Sequence, residues 1–209
     1  MAIIVEHEKR RHEILTHALD IFVEEGYEGA TFQKIADRCG ITRTTLYLYF
    51  KNKHEIFIWS IKQLTNMLEA EIRSLINNSA LTSAQRLYYT ILLIVDNCSA
   101  NKKLFRVVLL YLFQLPKDGE NPDDRVKRRT IRLRHLLSSI LIKGVKDGEF
   151  KPISVKAVNE LLYAFIESVV FRLSVLRKDN TDELKSVIQI LMDGVCVNEF
   201  VILETDDRR

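Results

Sequence analysis

Between Thr31 and Lys53 the sequence TFQKIADRCGITRTTLYLYFKNK leaves the backbone few choices. Phe32, Ile35, Ala36 and Cys39 recur at i, i+3, i+4 and i+7, which puts one apolar stripe on a helix, and Thr31 stands where its hydroxyl can cap that helix. Gly40 stops it, because glycine reaches the left-handed conformation of a helix end without a Cβ penalty, and Ile41 can then fold back onto the helix it leaves. Thr42 caps a second helix. In it Leu46 and Phe50 lie one turn apart and face inward, so that Arg43, Thr44, Thr45, Leu48 and Tyr49 project elsewhere. The stretch therefore predicts two short helices about a tight turn, with an outward face that calls for a partner.

Charge narrows the partner. From Thr31 to Lys53 there are five basic residues, Lys34, Arg38, Arg43, Lys51 and Lys53, against the single acid Asp37. The preceding thirty residues reverse the balance, with seven acids against three bases. Positive charge focused on the two-helix element suits docking on phosphate, whereas the same pattern also fits a solvated charged hairpin.

The run Thr31, Ile35-Ala36, Gly40-Ile41-Thr42, Leu46-Tyr47, Tyr49-Phe50 and Lys51-Asn52-Lys53 resembles the DNA-binding domain of TetR-family transcriptional regulators, and Ile14, Ala18, Phe22, Gly26 and Tyr27 match that family's first helix and its end. The resemblance is specific over Arg10 to Ile56 and architectural beyond. Thr44, Leu48 and Tyr49 depart from the residues common at those positions in the family. The resemblance implies an all-α fold: an N-terminal three-helix DNA-binding domain with a helix-turn-helix over residues 1–53, and a larger helical effector-binding and dimerisation domain over 54–209. It further implies a sequence-specific transcriptional regulator, a homodimeric repressor on a palindromic double-stranded operator, released by a small-molecule effector. Two other readings stay open: an activator on the same fold, and a helical ligand-binding or scaffolding protein without DNA-binding activity.

The rest of the chain reads as helix throughout. Only three prolines and seven glycines interrupt 209 residues of 47% hydrophobic content, enough to bury a sizeable core. A first helix is expected from Glu8 to Glu25 as the back wall of the two-helix element, with Arg10 and Arg11 near phosphate or in a solvated first turn. Further helices are expected from Lys53 to Ile76, from Thr82 or Ser83 through Cys98, from Asn101 to Leu115, from Asp123 to Lys146, from Val155 to Arg177 and from Thr181 to Val195. Pro116 to Pro122 reads as a loop, and 196–209 is left unassigned. Cys39, Cys98 and Cys196 are odd in number and far apart, so reduced thiols in a cytoplasmic protein are expected. No apolar run approaches the roughly 18 residues of a membrane span, and no membrane partner is expected.

For DNA, Arg43 is the best base reader, since its fork can bond guanine O6 and N7; Thr44, Thr45 and Gln33 are shorter-reach candidates. Thr31 and Thr42 place hydroxyls and helix N-terminal N–H groups where phosphate can sit. Tyr47 and Lys53 resemble the family's phosphate-contacting Tyr and Lys, and Tyr49 can add another contact. The Val155 to Arg177 segment is apolar nearly all round and must be buried on two sides. One side is the protomer's own core. The other is assigned to a second subunit through Leu162, Phe165, Val169, Leu184, Ile188 and Leu191, with a wholly internal helix as the alternative. The effector pocket implied by the resemblance has as candidates the polar interruptions Asp96 and Glu167, with Tyr88, Tyr111, Tyr163 and His135 beside them. Plain core or surface roles remain open for each. A local excess of thirteen bases over six acids across residues 102–151 suits an anionic effector, proximity to DNA or a solvated face. No Ser/His/Asp order, His-Glu metal helix, Gly-rich phosphate loop or paired cysteine set is present, so no catalysis, metal or cofactor is expected.

Overall fold

The computed structural model describes the backbone of residues 2–114, 123–177 and 181–200, and side chains over 6–112, 131–177 and 183–200. Its helices are α1 (Ala2–Gly29), α2 (Phe32–Arg38), α3 (Arg43–Tyr47), α4 (Lys53–Asn77), α5 (Ser83–Ala100), α6 (Lys102–Gln114), α7 (Asp123–Lys146), α8 (Val155–Ser174) and α9 (Thr181–Val195). The fold is all-α, and the one pairing of extended backbone among the described residues is a bridge between Phe150 and Cys196. The predicted loop 116–122, the side chains at the expected helix starts Asp123 and Thr181, and the tail 201–209 lie outside the described residues.

Local chemistry explains the helix ends. α1 kinks at Gly26, whose φ of 77° a residue with a Cβ rarely adopts. Asn52, just before α4, and Glu55 in its first turn share the start of that helix: Asn52 Oδ1 accepts from Glu55 N at 2.8 Å, and Glu55 Oε2 accepts from Lys51 N at 2.7 Å. All three cysteines are buried free thiols, and desolvation pushes Cys98 up to about 12.

Two compact units form. The first gathers α1, α2, α3, α4 as far as Ala70, and α6. Its core includes Ile14, Ala18, Phe22, Ile35, Leu46, Phe50 and Phe57, with Val107 and Tyr111 of α6 buried among them. The expected division at residues 53 and 54 is thus not where packing divides the chain. It followed the end of a motif, whereas α4 runs on unbroken and α6 buries its apolar stripe on α1.

The second unit comprises α4 from Glu71, α5, α7, α8 and α9. Here Arg86, 8% exposed, donates to the carbonyl of Asn78 at 2.8 Å and so ties the turn after α4 to α5. Glu149 reaches the N-terminus of α5, where Oε1 accepts from Ser83 N and Oε2 from Ala84 N, both at 3.0 Å. A carboxylate that satisfies two otherwise orphaned N–H groups beside the positive end of the helix dipole is a cap supplied from 65 residues away. Glu149→Ala is expected to lower stability by about 1–2 kcal/mol, with Glu149→Gln intermediate, read from the urea midpoint.

Candidate nucleic-acid interface

The turn between α2 and α3 is built by short-range bonds. Thr31 Oγ1 accepts from Lys34 N at 3.2 Å and Thr42 Oγ1 from Thr45 N at 3.0 Å, so each threonine caps its helix. At the other end of α2, Ile41 N donates to Ala36 O at 3.0 Å and Gly40 N to Asp37 O at 3.1 Å, the paired bonds of a Schellman stop, with Gly40 at φ 63°. Leu46 and Phe50 are 0% and 1% exposed, which anchors α3 by its inner face.

The outer face carries Arg43, Thr44, Tyr47 and Leu48, all exposed, with Thr45 half-buried. Arg43 and Tyr47, one turn apart, organise each other: the guanidinium donates to the Tyr47 hydroxyl at 3.2 Å and lies 5.8 Å from the ring centre. The Tyr47 ring in turn rests on Phe32 at 4.5 Å. Thr45 shares its hydroxyl with that of Thr42 at 2.8 Å. Gln33 donates to Asp37 along α2 at 2.7 Å. Tyr49 is half-buried with its ring stacked on His7 at 4.5 Å. Lys53 donates to the Tyr27 carbonyl at 2.8 Å and sits 4.3 Å from the Tyr27 ring, so it clamps α4 to the end of α1; an ammonium has two further donors.

Counting bases along the sequence overstated the free charge. Arg38 bonds Glu24 at 2.7 Å and Lys34 pairs with Glu25, both acids of α1. The hydrogen bond from Arg38 holds the Glu24 carboxyl below the usual carboxylate range. Arg10 and Arg11 are also committed to the fold. Arg10 donates to the Cys39 carbonyl at 3.0 Å, at the end of α2, and Arg11 lies over the rings of Trp59 and Phe50 at 4.2 and 5.1 Å. The outward cations of this element are accordingly Arg43 and Lys51, with Lys53 partly engaged. Lys51 and Leu48 are exposed on it and were not among the site residues drawn from the sequence.

Comparison with known proteins agrees with this geometry. The family model described as bacterial regulatory proteins, tetR family, matches residues 14–58, which span most of α1, both short helices and the start of α4. Residues 14–58 are a DNA-binding domain of the TetR type. It is 27% identical over 188 residues to the fatty acid metabolism regulator protein of Bacillus subtilis, covering 88% of this chain and 94% of that protein. It is 26% identical over 163 residues to the transcriptional repressor KstR2 of Mycolicibacterium smegmatis, covering 78% and 76%. The structure of FadR from Bacillus subtilis in complex with stearoyl-CoA superposes with a TM-score of 0.70 at 25% identity, covering 87% of this chain and 97% of FadR.

The six residues expected to line an effector pocket are not brought together. Tyr111 belongs to the first unit, where its hydroxyl bonds His54 Nδ1 at 2.8 Å and its ring packs on Tyr27 and Phe57. Tyr88 is buried against Tyr89 and Phe200, while Asp96 and Glu167 are exposed. Tyr163 lies under the Arg134 guanidinium at 4.3 Å. Of the six, His135 lines cavities of the second unit. One, about 340 Å³, has Arg73, Asn77, Arg132 and Leu136 beside it; the other, about 500 Å³, lies against Ile131, Arg134, Ile142 and Asn159. Asn159 is 4% exposed, its amide donating to Arg134 O at 2.7 Å and to Ser138 Oγ at 2.5 Å while its carbonyl oxygen meets no donor among the described residues.

The dimer residues also need correction. Leu162, Val169, Leu184 and Ile188 are at most 3% exposed within one protomer, so they fill its own core and cannot meet a partner. Phe165 and Leu191 are half-buried. The side chains that do emerge from α8 and α9 are Leu161 and Phe171, and Val187 and Ile190, between 37% and 69% exposed. Among the described residues no helix is long and apolar enough to cross a membrane, and no group of three or more potential ligands is placed to hold a metal.

Proposed function

We propose that this regulator is a homodimeric repressor that reads a palindromic operator with α3 and leaves it when a small molecule enters the second unit. The observation that carries the reading is the outer face of α3: Arg43 and Tyr47, exposed and bonded to each other, stand on a helix held by Leu46 and capped by Thr42. In this reading Arg43 reaches base edges, with Thr44, Thr45 and Gln33 as shorter-reach neighbours, and Tyr47, Tyr49, Thr31, Thr42, Lys51 and Lys53 meet phosphates. The partner subunit covers the stripe of Leu161, Phe165 and Phe171 with Val187, Ile190 and Leu191, and the twofold axis doubles a short recognition element.

The effector reading rests on the basic cavities about His135 and on the likeness to FadR, whose structure is described as a complex with stearoyl-CoA. We take the effector to combine an anionic group with an apolar body, and a long-chain acyl-CoA is the first compound to test. The protein acts in the cytoplasm on this reading, as DNA binding requires.

The test is a salt-dependent titration of the full chain against DNA from upstream of its own gene and against a scrambled duplex. Steep salt dependence with preference for the first supports the reading, and equal weak binding to both, persisting after selection from random sequence, counts against it. Arg43→Ala is expected to cost about 1–3 kcal/mol on operator and to relax preference at one base pair per half-site. Equal loss on operator and scrambled DNA would assign Arg43 to phosphate instead.

A further inference from the structure

Leu48 is the most exposed large apolar side chain among the described residues, at 75%. It closes α3 in helical conformation, at φ −69° and ψ −22°, so the register of the helix extends to it. At about 100° per residue, Thr44 and Leu48 share one face, turned roughly 160° from the buried Leu46. By the same count Thr45 and Tyr47 flank that face, the exposed cations of the element are Arg43 and Lys51, and no acid occurs from Gly40 to His54. A second copy of the chain or an apolar peptide gains nothing from the exposed cations Arg43 and Lys51 of the same two-helix element. A polyanion does, and on the floor of a major groove the one apolar group that a polyanion of this kind offers is the 5-methyl of thymine.

We infer that Leu48 is a base-reading residue whose side chain, with the methyl of Thr44 beside it, seats against the 5-methyl group of a thymine in each half-site. The inference rests on the regulator reading given above and adds to it a specificity determinant that makes no hydrogen bond. It gives the recognition helix two kinds of readout: the Arg43 fork for guanine and an apolar contact for thymine.

The experiment replaces each thymine of the selected operator in turn by deoxyuridine, which removes the methyl and leaves every hydrogen-bonding group in place. Wild-type protein should lose about fourfold in affinity at one position per half-site, the effect of one buried methyl. Leu48→Ala should bind the thymine operator correspondingly more weakly and show no further loss on the uracil operator, whereas Leu48→Met should keep the discrimination. Because the side chain is exposed, the thermal midpoint of Leu48→Ala should match wild type. Indifference of the wild type to every replacement, or an unchanged thymine-to-uracil ratio in Leu48→Ala, overturns the inference while the regulator reading stands. Failure of the wild type to prefer any duplex overturns both.

Discussion

Phe57→Ala should destabilise the first unit by about 3–5 kcal/mol. Phe57 is 0% exposed and is the hub of an aromatic group: its ring meets Phe22 at 4.8 Å, Tyr27 at 5.0 Å and Tyr111 at 4.9 Å. Truncation removes the transfer free energy of the ring and leaves a cavity whose walls come from α1, α4 and α6, helices too mutually constrained to collapse into it. Phe57→Leu should cost less, since it keeps much of the volume, and Met67→Ala, 54% exposed on the same helix, should stay within about 0.5 kcal/mol of wild type. Urea denaturation followed by circular dichroism reads all three. Operator affinity measured below the Phe57→Ala transition should also fall, because α2 and α3 pack on the same core. A stability loss under about 1 kcal/mol would mean that the aromatic group is not the keystone of this unit.

Gly144→Ala is the second large effect, and its sign opposes helix propensity. Within a helix, Ala is favoured over Gly by about 1 kcal/mol. At Gly144, however, a Cβ would stand 2.2 Å from Cδ2 and 2.3 Å from Cε2 of Phe150, a ring that is 2% exposed. The last turn of α7 and the bridge from Phe150 to Cys196 hold the two in place: Phe150 N donates to Gly144 O at 3.1 Å, Lys151 N to Val195 O at 2.9 Å, and Val197 N to Glu149 O at 2.9 Å. Overpacking here should cost about 3 kcal/mol net. Pairing Gly144→Ala with Phe150→Leu should recover part of the loss, and a double-mutant cycle on urea midpoints gives the coupling. A stabilised Gly144→Ala variant would show that the ring moves freely and that propensity decides.

Much of this fold was legible because its punctuation is local. Thr31, Gly40, Thr42 and Asn52 act on groups no more than about five residues away, and the bonds they make follow from residue type and spacing. The helices from α4 to α9 begin and end close to where their caps, glycines and prolines place them for the same reason. Charge was less legible. Lys34 and Arg38 read as free cations, but their partners Glu25 and Glu24 lie 9 and 14 residues back, at a separation that only the packing of α2 on α1 closes. Lys53, matched to a phosphate contact through the family, also holds the end of α1.

What the amino-acid order determined by itself was the succession of helices, the two-helix element with its capped turn, and which side chains of α3 have no inward role. These depend on φ/ψ preferences and hydrogen bonds spanning a turn or less. The tertiary structure decided which face of an apolar helix is inside. Leu161 and Leu162 are adjacent and chemically identical, yet one is 54% exposed and the other 1%, because burial is set by where α5 and α7 lie against α8 and not by the residue. It also decided that Tyr111, far along the chain from the recognition helix, completes the core beneath it. Only packing between helices distant in sequence chooses among surfaces that hydrophobicity alone leaves equivalent.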